Sequence, residues 1–317
     1  MGTLVLDKHD IELEYDTDCL LIRQPEQQVR TLPLCRIDKV VCMHNVQLTT
    51  QLLGQLVERG IDFVVLNQRY SKYSFALYAD RYRSALRRCQ QYQWQIDPQQ
   101  RFILARQLCL HKFRAISRVL AAQPEHRLQA QLDMAMEATR NCQNEDSLRG
   151  IEGSIQRAVF QYWRSRLDKD WGFEQRQRRP APDPVNALLS LSYTLIHHEA
   201  VRQAKSHGLD PDLGFYHRLA YSRSSLACDL IEPLRPRIEA WVVETLQQGA
   251  LNKRHFGYSK ADGCMLGKEG RLLFYPLFEA FMQKGRRTLA SHARWLARQL
   301  SQQPQLITEP GASDENH

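Results

Sequence analysis

Over its first eighty residues the chain alternates short apolar runs with polar breaks; beyond them, apolar positions recur every three to four residues almost to the end. Runs at 3–6, 11–15, 19–23, 29–33 and 39–44 are rich in Val, Leu and Ile, and clusters such as Asp7-Lys8-His9-Asp10 and Asp16-Thr17-Asp18 separate them. Short branched segments punctuated by turn residues predict a compact antiparallel β unit. A helix over 49–59 interrupts it, with Leu52, Leu53 and Leu56 on one side and Gly60 as its stop. Two further strands are expected at 62–66 and 73–78.

The helical period then predicts helices near 81–91, 98–122, 126–141, 145–168, 184–206, 225–248 and 271–302. The start at 184 is the sharpest, because Asp183-Pro184 sets a capping acceptor before a proline at the first helical position. Residues 176–182 form a basic, proline-bearing loop, and 249–270, rich in glycine and asparagine, is expected to be a mobile one. The polar, acidic tail at 303–317 is expected to be disordered. The fold class is therefore α+β: an N-terminal antiparallel β domain at 1–80, then a larger all-α domain at 81–302. No internal repeat interrupts this order.

Composition narrows the function. The 317 residues are 43% hydrophobic and 9% aromatic, as in a globular protein, and a formal charge of +8 favours a polyanionic partner, nucleic acid before anionic membrane. No apolar run approaches the roughly 20 residues that cross a bilayer, and the N-terminus carries no signal-peptide pattern. The eight cysteines are scattered and never form Cys-x-x-Cys, which argues against a zinc knuckle and a disulfide framework. Free thiols and a cytoplasmic location are the expectation.

The positive charge is clustered. Between Arg81 and Arg118 nine Lys or Arg residues accompany a single acid, Asp97, with Tyr82, Tyr92, Trp94 and Phe113 among them. Lys284, Arg286, Arg287, His292, Arg294 and Arg298 follow one predicted helix, and Arg176, Arg178 and Arg179 precede the Asp183-Pro184 cap. Each cluster alone is read equally well as a solvated helix face or as a phosphate-binding surface; three acid-poor clusters in one chain favour the second.

Candidate chemistry lies in three short motifs: Gly150-Ile151-Glu152-Gly153, Gly214-Phe215-Tyr216-His217, and Asp229-Leu230-Ile231-Glu232. Two carboxylates and an imidazole make a hard oxygen-and-nitrogen ligand set that suits Mg²⁺ or Mn²⁺. In a basic chain this points to metal-assisted chemistry on a phosphodiester. Glu152 is either a carboxylate favoured at a helix start or a ligand. A lone histidine such as His217 is ordinarily a packing residue, but Asp229 and Glu232 follow it closely and share one helix face at i, i+3. Those two acids repel unless a cation lies between them, they face water, or Arg235 neutralises them. Arg223 is a candidate for a phosphate oxygen, and Ser225 is expected to cap the helix carrying Asp229. Asn186 serves either a ligand or the cap region. His197, His198, His207 and His255 fit no pattern and are expected to be structural. No phosphate-binding Gly-x-x-x-x-Gly-Lys loop, Gly-x-Ser-x-Gly elbow or His-Glu-x-x-His is present.

Together with Asp183-Pro184-Val185-Asn186-Ala187-Leu188-Leu189, Gly208-Leu209-Asp210-Pro211 and Arg223-Ser224-Ser225-Leu226-Ala227-Cys228, these motifs resemble the integrase subunit of the CRISPR spacer-acquisition complex, over nearly the whole chain. Ser222 and Ser224 depart from the smaller or proline-like residues usual around that arginine. The resemblance implies Glu152, His217 and Glu232 as ligands of one Mg²⁺ or Mn²⁺ ion, with Asp229 as a supporting acid. It implies a homodimer formed through the β domain, and a small ferredoxin-like companion bridging two dimers. It also implies double-stranded DNA as substrate, both the protospacer donor and the CRISPR repeat target, with no membrane partner. The reaction implied is attack of a 3′-hydroxyl on a phosphodiester of the repeat array, or endonuclease cleavage when water is the nucleophile. The candidate DNA contacts are Arg223, Asn186, Arg178, Arg179, Arg287 and Arg294. Two rival readings stand beside this one, a stand-alone structure-specific DNA nuclease and a non-catalytic nucleic-acid-binding module.

Overall fold

The structure, a computed structural model, describes residues 2–66, 74–78, 85–122 and 124–301. The expected tail at 303–317, the start of the helix expected at 81–91 and residue 73 of a predicted strand lie outside them.

The N-terminal part builds two four-stranded sheets, with orders β1-β5-β7-β8 and β4-β3-β2-β6. The strands are β1 (Gly2–Leu6), β2 (Ile11–Asp16), β3 (Cys19–Arg23), β4 (Arg30–Pro33), β5 (Ile37–Cys42), β6 (Val46–Leu48), β7 (Asp62–Val65) and β8 (Phe75–Leu77). In β2 and β3, Ile11, Leu13, Leu20 and Ile22 point inward at every second position. They meet Val40, Cys42 and Phe63 of the other sheet, with Leu52 and Leu56 of α1 (Thr50–Glu58) closing the core. β5 is buried on both sides: Val41 belongs to a second cluster with Val64, against which Leu195 and Tyr275 of the helical part pack. A central strand covered twice reads as a continuous apolar run.

The unit is not all antiparallel, as the alternation had suggested. β1 pairs with β5, β5 with β7, and β2 with β6 in parallel. The chain leaves the first sheet after β1, builds the β2–β3–β4 meander in the second, and returns at β5, so β1, β5 and β7 follow one another without hairpins, and only β8 pairs antiparallel, with β7. The return to β7 runs through α1, the kind of crossover that parallel pairing requires.

The rest is mainly helical: α2 (Ala85–Ile96), α3 (Pro98–Ala122), α4 (His126–Asn141), α5 (Glu145–Arg166), α6 (Pro184–Ser206), α7 (Ser225–Ile231), α8 (Arg235–Gln247) and α9 (Lys268–Ser301). Asp183 caps α6 by accepting from the Asn186 N–H at 2.8 Å, with Pro184 in the first turn. Two expectations are corrected. The single helix expected over 225–248 is broken into α7 and α8 around Pro233, which has no N–H to continue the ladder, while Pro236 fits the first turn of α8. The loop expected over 249–270 contains an antiparallel hairpin, β9 (Phe256–Ser259) with β10 (Gly263–Leu266). No helix among the described residues is long and apolar enough to cross a membrane.

Charges tie the β part to the helices. Lys39 of β5 donates to Glu199 of α6 at 3.0 Å, both buried, and Arg202 and Arg286 also approach Glu199. Arg271 of α9 pairs with Asp7 at 2.8 Å. Burial would raise the Glu199 carboxyl, but Lys39 and Arg202, with the Gln203 and Lys39 hydrogen bonds, hold it at about 2. A carboxyl depressed in the folded state stabilises above its ordinary range and loses that contribution as pH falls through the folded value. Glu199→Ala is expected to lower stability by about 3–5 kcal/mol near neutral pH. In urea unfolding, its deficit against the unsubstituted chain should shrink as pH is lowered from the ordinary carboxylate range towards about 2.

Candidate active site

The loop between α6 and α7 is positioned by one buried carboxylate. Asp229, in the middle of α7, is fully buried. Its Oδ2 accepts the backbone N–H groups of Phe215 and Tyr216 at 2.6 and 3.0 Å, and its Oδ1 accepts that of His217 at 2.9 Å. Oδ1 also takes the His217 Nδ1–H at 2.7 Å. Such close approach needs Gly214: a Cβ there would lie 2.8 Å from the Ser225 carbonyl carbon and Cβ. Buried Phe215 anchors the loop below. With Nδ1 hydrogen-bonded to Asp229, Nε2 of His217 faces the cavity and stands 3.7 Å from Glu232 Oε1. Asp229 therefore acts by orienting His217.

Glu232 sits at the break between α7 and α8, 3% exposed, which aims its carboxylate inward. Arg235 Nε lies 2.9 Å from its Oε1 and Lys112 Nζ 2.8 Å from its Oε2. Neither contact has hydrogen-bond alignment, so Oε2 is a buried carboxylate oxygen with charge beside it and no directed donor. Burial alone would raise Glu232; Arg235, Lys112 and His217 together pull it down to about 2, so it is ionised at neutral pH.

Glu152 comes from the third turn of α5 rather than from a helix start, so helix-terminus stabilisation does not explain it. Its Oε1 pairs with Lys112, and the Tyr216 hydroxyl bonds to it. Burial and the charge of Glu152 push the Tyr216 hydroxyl well up, so its proton stays on. Lys112 is the residue that the sequence reading did not single out, counting it among surface cations. It lies on the buried face of α3 with Leu108, Cys109, Phe113 and Ile116, 3% exposed, and links Glu152 to Glu232. Burial would lower its pKa, but the two carboxylates raise it. A lysine at a core-spaced position of an apolar helix face was the available signal.

These groups line one cavity of about 590 Å³, whose walls also carry Arg149, Arg176, Arg178, Arg218 and Arg223. Of the proposed DNA contacts, Arg178 and Arg223 reach this cavity. Arg223 donates to the Arg218 carbonyl, bringing the two arginines together after the left-handed turn at Ser222, φ 55°. Arg179 is exposed beside a neighbouring cleft formed with the β9–β10 hairpin, and Arg294 is exposed on α9. Arg287 lines a separate cleft of about 970 Å³ between α3, α8 and α9, with Arg114, Arg118, Arg237, Trp241 and Trp295.

Asn186 is a correction: it is fully buried, its Nδ2 donates to Asp183 at 2.7 Å, and its Oδ1 accepts from Arg176 at 2.8 Å. It steadies Arg176 instead of touching a nucleic acid. Ser225 is another. It does not cap α7; its hydroxyl donates to the Arg218 carbonyl at 3.1 Å and so holds the loop. His255 is buried and accepts the Asn252 N–H at 3.1 Å, a structural role.

Among the described residues no three His, Cys, Asp or Glu side chains stand as a ready cage for a metal. The reason is visible in the geometry: the Lys112 ammonium takes the space between Glu152 and Glu232.

Comparison with known proteins is consistent along the chain. The family model "CRISPR associated protein Cas1" matches residues 4–280. A CRISPR-associated endonuclease Cas1 of Thermodesulfovibrio yellowstonii is 33% identical over 322 residues, covering 97% of this chain and 100% of that protein. Among solved structures, a Cas1 protein from Thermotoga maritima superposes with a TM-score of 0.84 at 20% identity, covering 95% of this chain and 98% of its own. A casposase bound to integration product superposes with a TM-score of 0.81 at 19% identity, covering 99% and 96%.

The Asp229 contacts make one outcome measurable without substrate. In ¹⁵N imidazole spectra His217 should be protonated at Nδ1. Asp229→Asn should remove that preference and lower stability by about 1–3 kcal/mol, because an amide turned towards the loop N–H groups leaves a donor unsatisfied.

Proposed function

The chain belongs to the Cas1 family, and on that premise we propose that it is a divalent-metal-dependent DNA integrase and endonuclease of CRISPR adaptation. It joins the 3′-hydroxyl ends of new spacer DNA to the repeat array by transesterification. The observation that carries the reading is the meeting of Glu152, Glu232 and Nε2 of His217, drawn from three separate segments, at one arginine-walled cavity. The casposase bound to integration product, which has the same fold, supports it.

The donor set fits a hard divalent ion. Glu232 is ionised and one of its buried oxygens lacks a directed donor, Nε2 of His217 faces the cavity, and the space between the two glutamates already holds one positive charge. Glu152, His217 and Glu232 would hold Mg²⁺ or Mn²⁺. Such an ion, when bound, stabilises the negative charge that develops on the phosphoryl and leaving oxygens. Asp229 keeps the imidazole in the tautomer that presents Nε2. Arg149, Arg176, Arg178, Arg218 and Arg223 hold phosphate oxygens so that the attacking hydroxyl lies opposite the ester oxygen that leaves. One phosphorus–oxygen bond forms as another breaks, and no side chain need become covalently attached. With water in place of the 3′-hydroxyl, the same arrangement cleaves.

The partners in this reading are double-stranded DNA as donor and target, a second copy of the chain, and a small ferredoxin-like companion bridging two dimers. The location is the cytoplasm. Glu152→Gln and His217→Ala should each lower strand joining by about a hundredfold or more while retaining DNA in a mobility-shift assay. Undiminished joining overturns the assignment. DNA affinity should fall roughly a thousandfold between 50 and 200 mM salt if about six phosphates are contacted. Joining should require the companion; cleavage of structured DNA by the chain alone, with no joining when the companion is supplied, would return the stand-alone nuclease reading.

A further inference from the structure

Lys112 invites a question that the reaction does not answer. A lysine is seldom buried without a partner, and this one lies between the two acids of the candidate metal centre. Glu152 and Glu232 come from different helices, α5 and the end of α7, so their mutual repulsion would push apart the elements that form the cavity. The ammonium removes that repulsion. A divalent ion held by the same carboxylates does so as well, and it would repel an ammonium in contact with both.

A second buried acceptor lies behind Gln156 and Tyr193, which line the same cavity. Glu239 of α8 is 2% exposed. Its Oε1 accepts from the Tyr193 hydroxyl at 2.9 Å and from Gln156 Nε2 at 3.1 Å, whereas its Oε2 is buried without a hydrogen-bond partner. Gln156 lies one turn beyond Glu152 on α5, and Glu239 one turn beyond Arg235 on α8, so the glutamate borders the same cluster. Burial holds its carboxyl above the ordinary range, and among the neighbouring charges Lys112 opposes that most. In this structure Lys112 pairs with Glu152 and Glu232 and not with Glu239, whose buried oxygen without a donor offers the ammonium a second position.

We propose that Lys112 is the resident cation of the metal-free site, pairing with Glu152 and Glu232 until a divalent ion enters and then moving its ammonium onto Glu239. The proposal rests on the metal-dependent reading above and goes beyond it by naming the device that keeps the two acids together before loading. Its consequence is thermodynamic. The ion binds only the fraction of molecules whose lysine has withdrawn, so the apparent affinity is reduced by that fraction. Lys112 is thus a positioning residue that tunes loading; it need not touch DNA.

The test is titration of the full chain with MnCl₂ by calorimetry, without DNA, alongside thermal unfolding. The unsubstituted chain should bind, and Glu232→Ala should not. Lys112→Met, which keeps the aliphatic volume and removes the charge, should bind Mn²⁺ about tenfold more tightly. Its Tm without metal should be lower, and its gain in Tm on adding Mn²⁺ larger than that of the unsubstituted chain. Glu239→Gln should bind about tenfold more weakly, because the ammonium loses its charged destination. The double variant should behave as Lys112→Met, since without the lysine Glu239 has nothing to receive. If Lys112→Met fails to fold, Glu239→Gln decides alone, and an unchanged Mn²⁺ affinity there overturns the proposal. Mn²⁺ binding that Glu232→Ala abolishes but Lys112→Met does not tighten would leave the metal reading standing and reduce Lys112 to a structural brace. Absence of Mn²⁺ binding by the unsubstituted chain would remove the metal reading itself.

Discussion

Two carboxylates on different helices can share one buried cavity only if positive charge lies between them. Glu152 and Glu232 meet because Lys112 from α3 and Arg235 from α8 neutralise them, and four segments of the helical part are thereby drawn to one point. A buried cluster of this kind is no better for stability than well-packed apolar side chains would be, since desolvation offsets most of the attraction. Its retention is understood through chemistry. The two acids line a cavity whose walls also carry arginine, so the cavity presents positive charge beside its carboxylates.

The rest of the fold holds this arrangement still. Asp229 uses its oxygens on three backbone N–H groups and one imidazole N–H, turning an irregular loop into a rigid mount for His217. Gly214 allows the loop to lie against Ser225, and the Ser225 hydroxyl ties the loop further along at Arg218. Behind these, α6 and α9 are fastened to the first sheet by buried or half-buried ion pairs, among them Lys39 with Glu199 and Arg271 with Asp7. The sheet surface that packs on the helices thus bears on the same helical body that carries the site.

The arginines sort by position once the helices are assembled. Residues separated widely in the chain, Arg149, Arg176, Arg178, Arg218 and Arg223, share one cavity with Glu152, His217 and Glu232. Arg114, Arg118 and Arg287, taken from two different charge clusters, share a second cleft with Trp241 and Trp295 on the opposite face of α8 from Arg235. Lys112, in the same run as Arg114 and Arg118, turns inward. Charge counted along the sequence therefore announces an affinity for polyanions, whereas the faces on which it acts depend on helix rotation.

Much of the architecture was legible in local pattern. Asp183-Pro184 marked the start of α6, the leucines at 52 and 56 marked α1, and the motifs around Glu152, His217 and Asp229 marked side chains that the fold brings together, because caps, amphipathic spacing and polar motifs are properties of neighbouring residues. Parallel pairing of β1, β5 and β7 was not legible, since strand direction is decided by where the chain goes between strands. The break at Pro233 that aims Glu232, and the hairpin inside a glycine-rich stretch, likewise waited on long-range packing. By itself the sequence determined which groups are available for chemistry and which helices carry most of them. Tertiary structure alone decided that Lys112 lies between the acids, that Asp229 orients His217, and that Asn186 is buried. Those outcomes depend on distances between segments that only the folded core brings together.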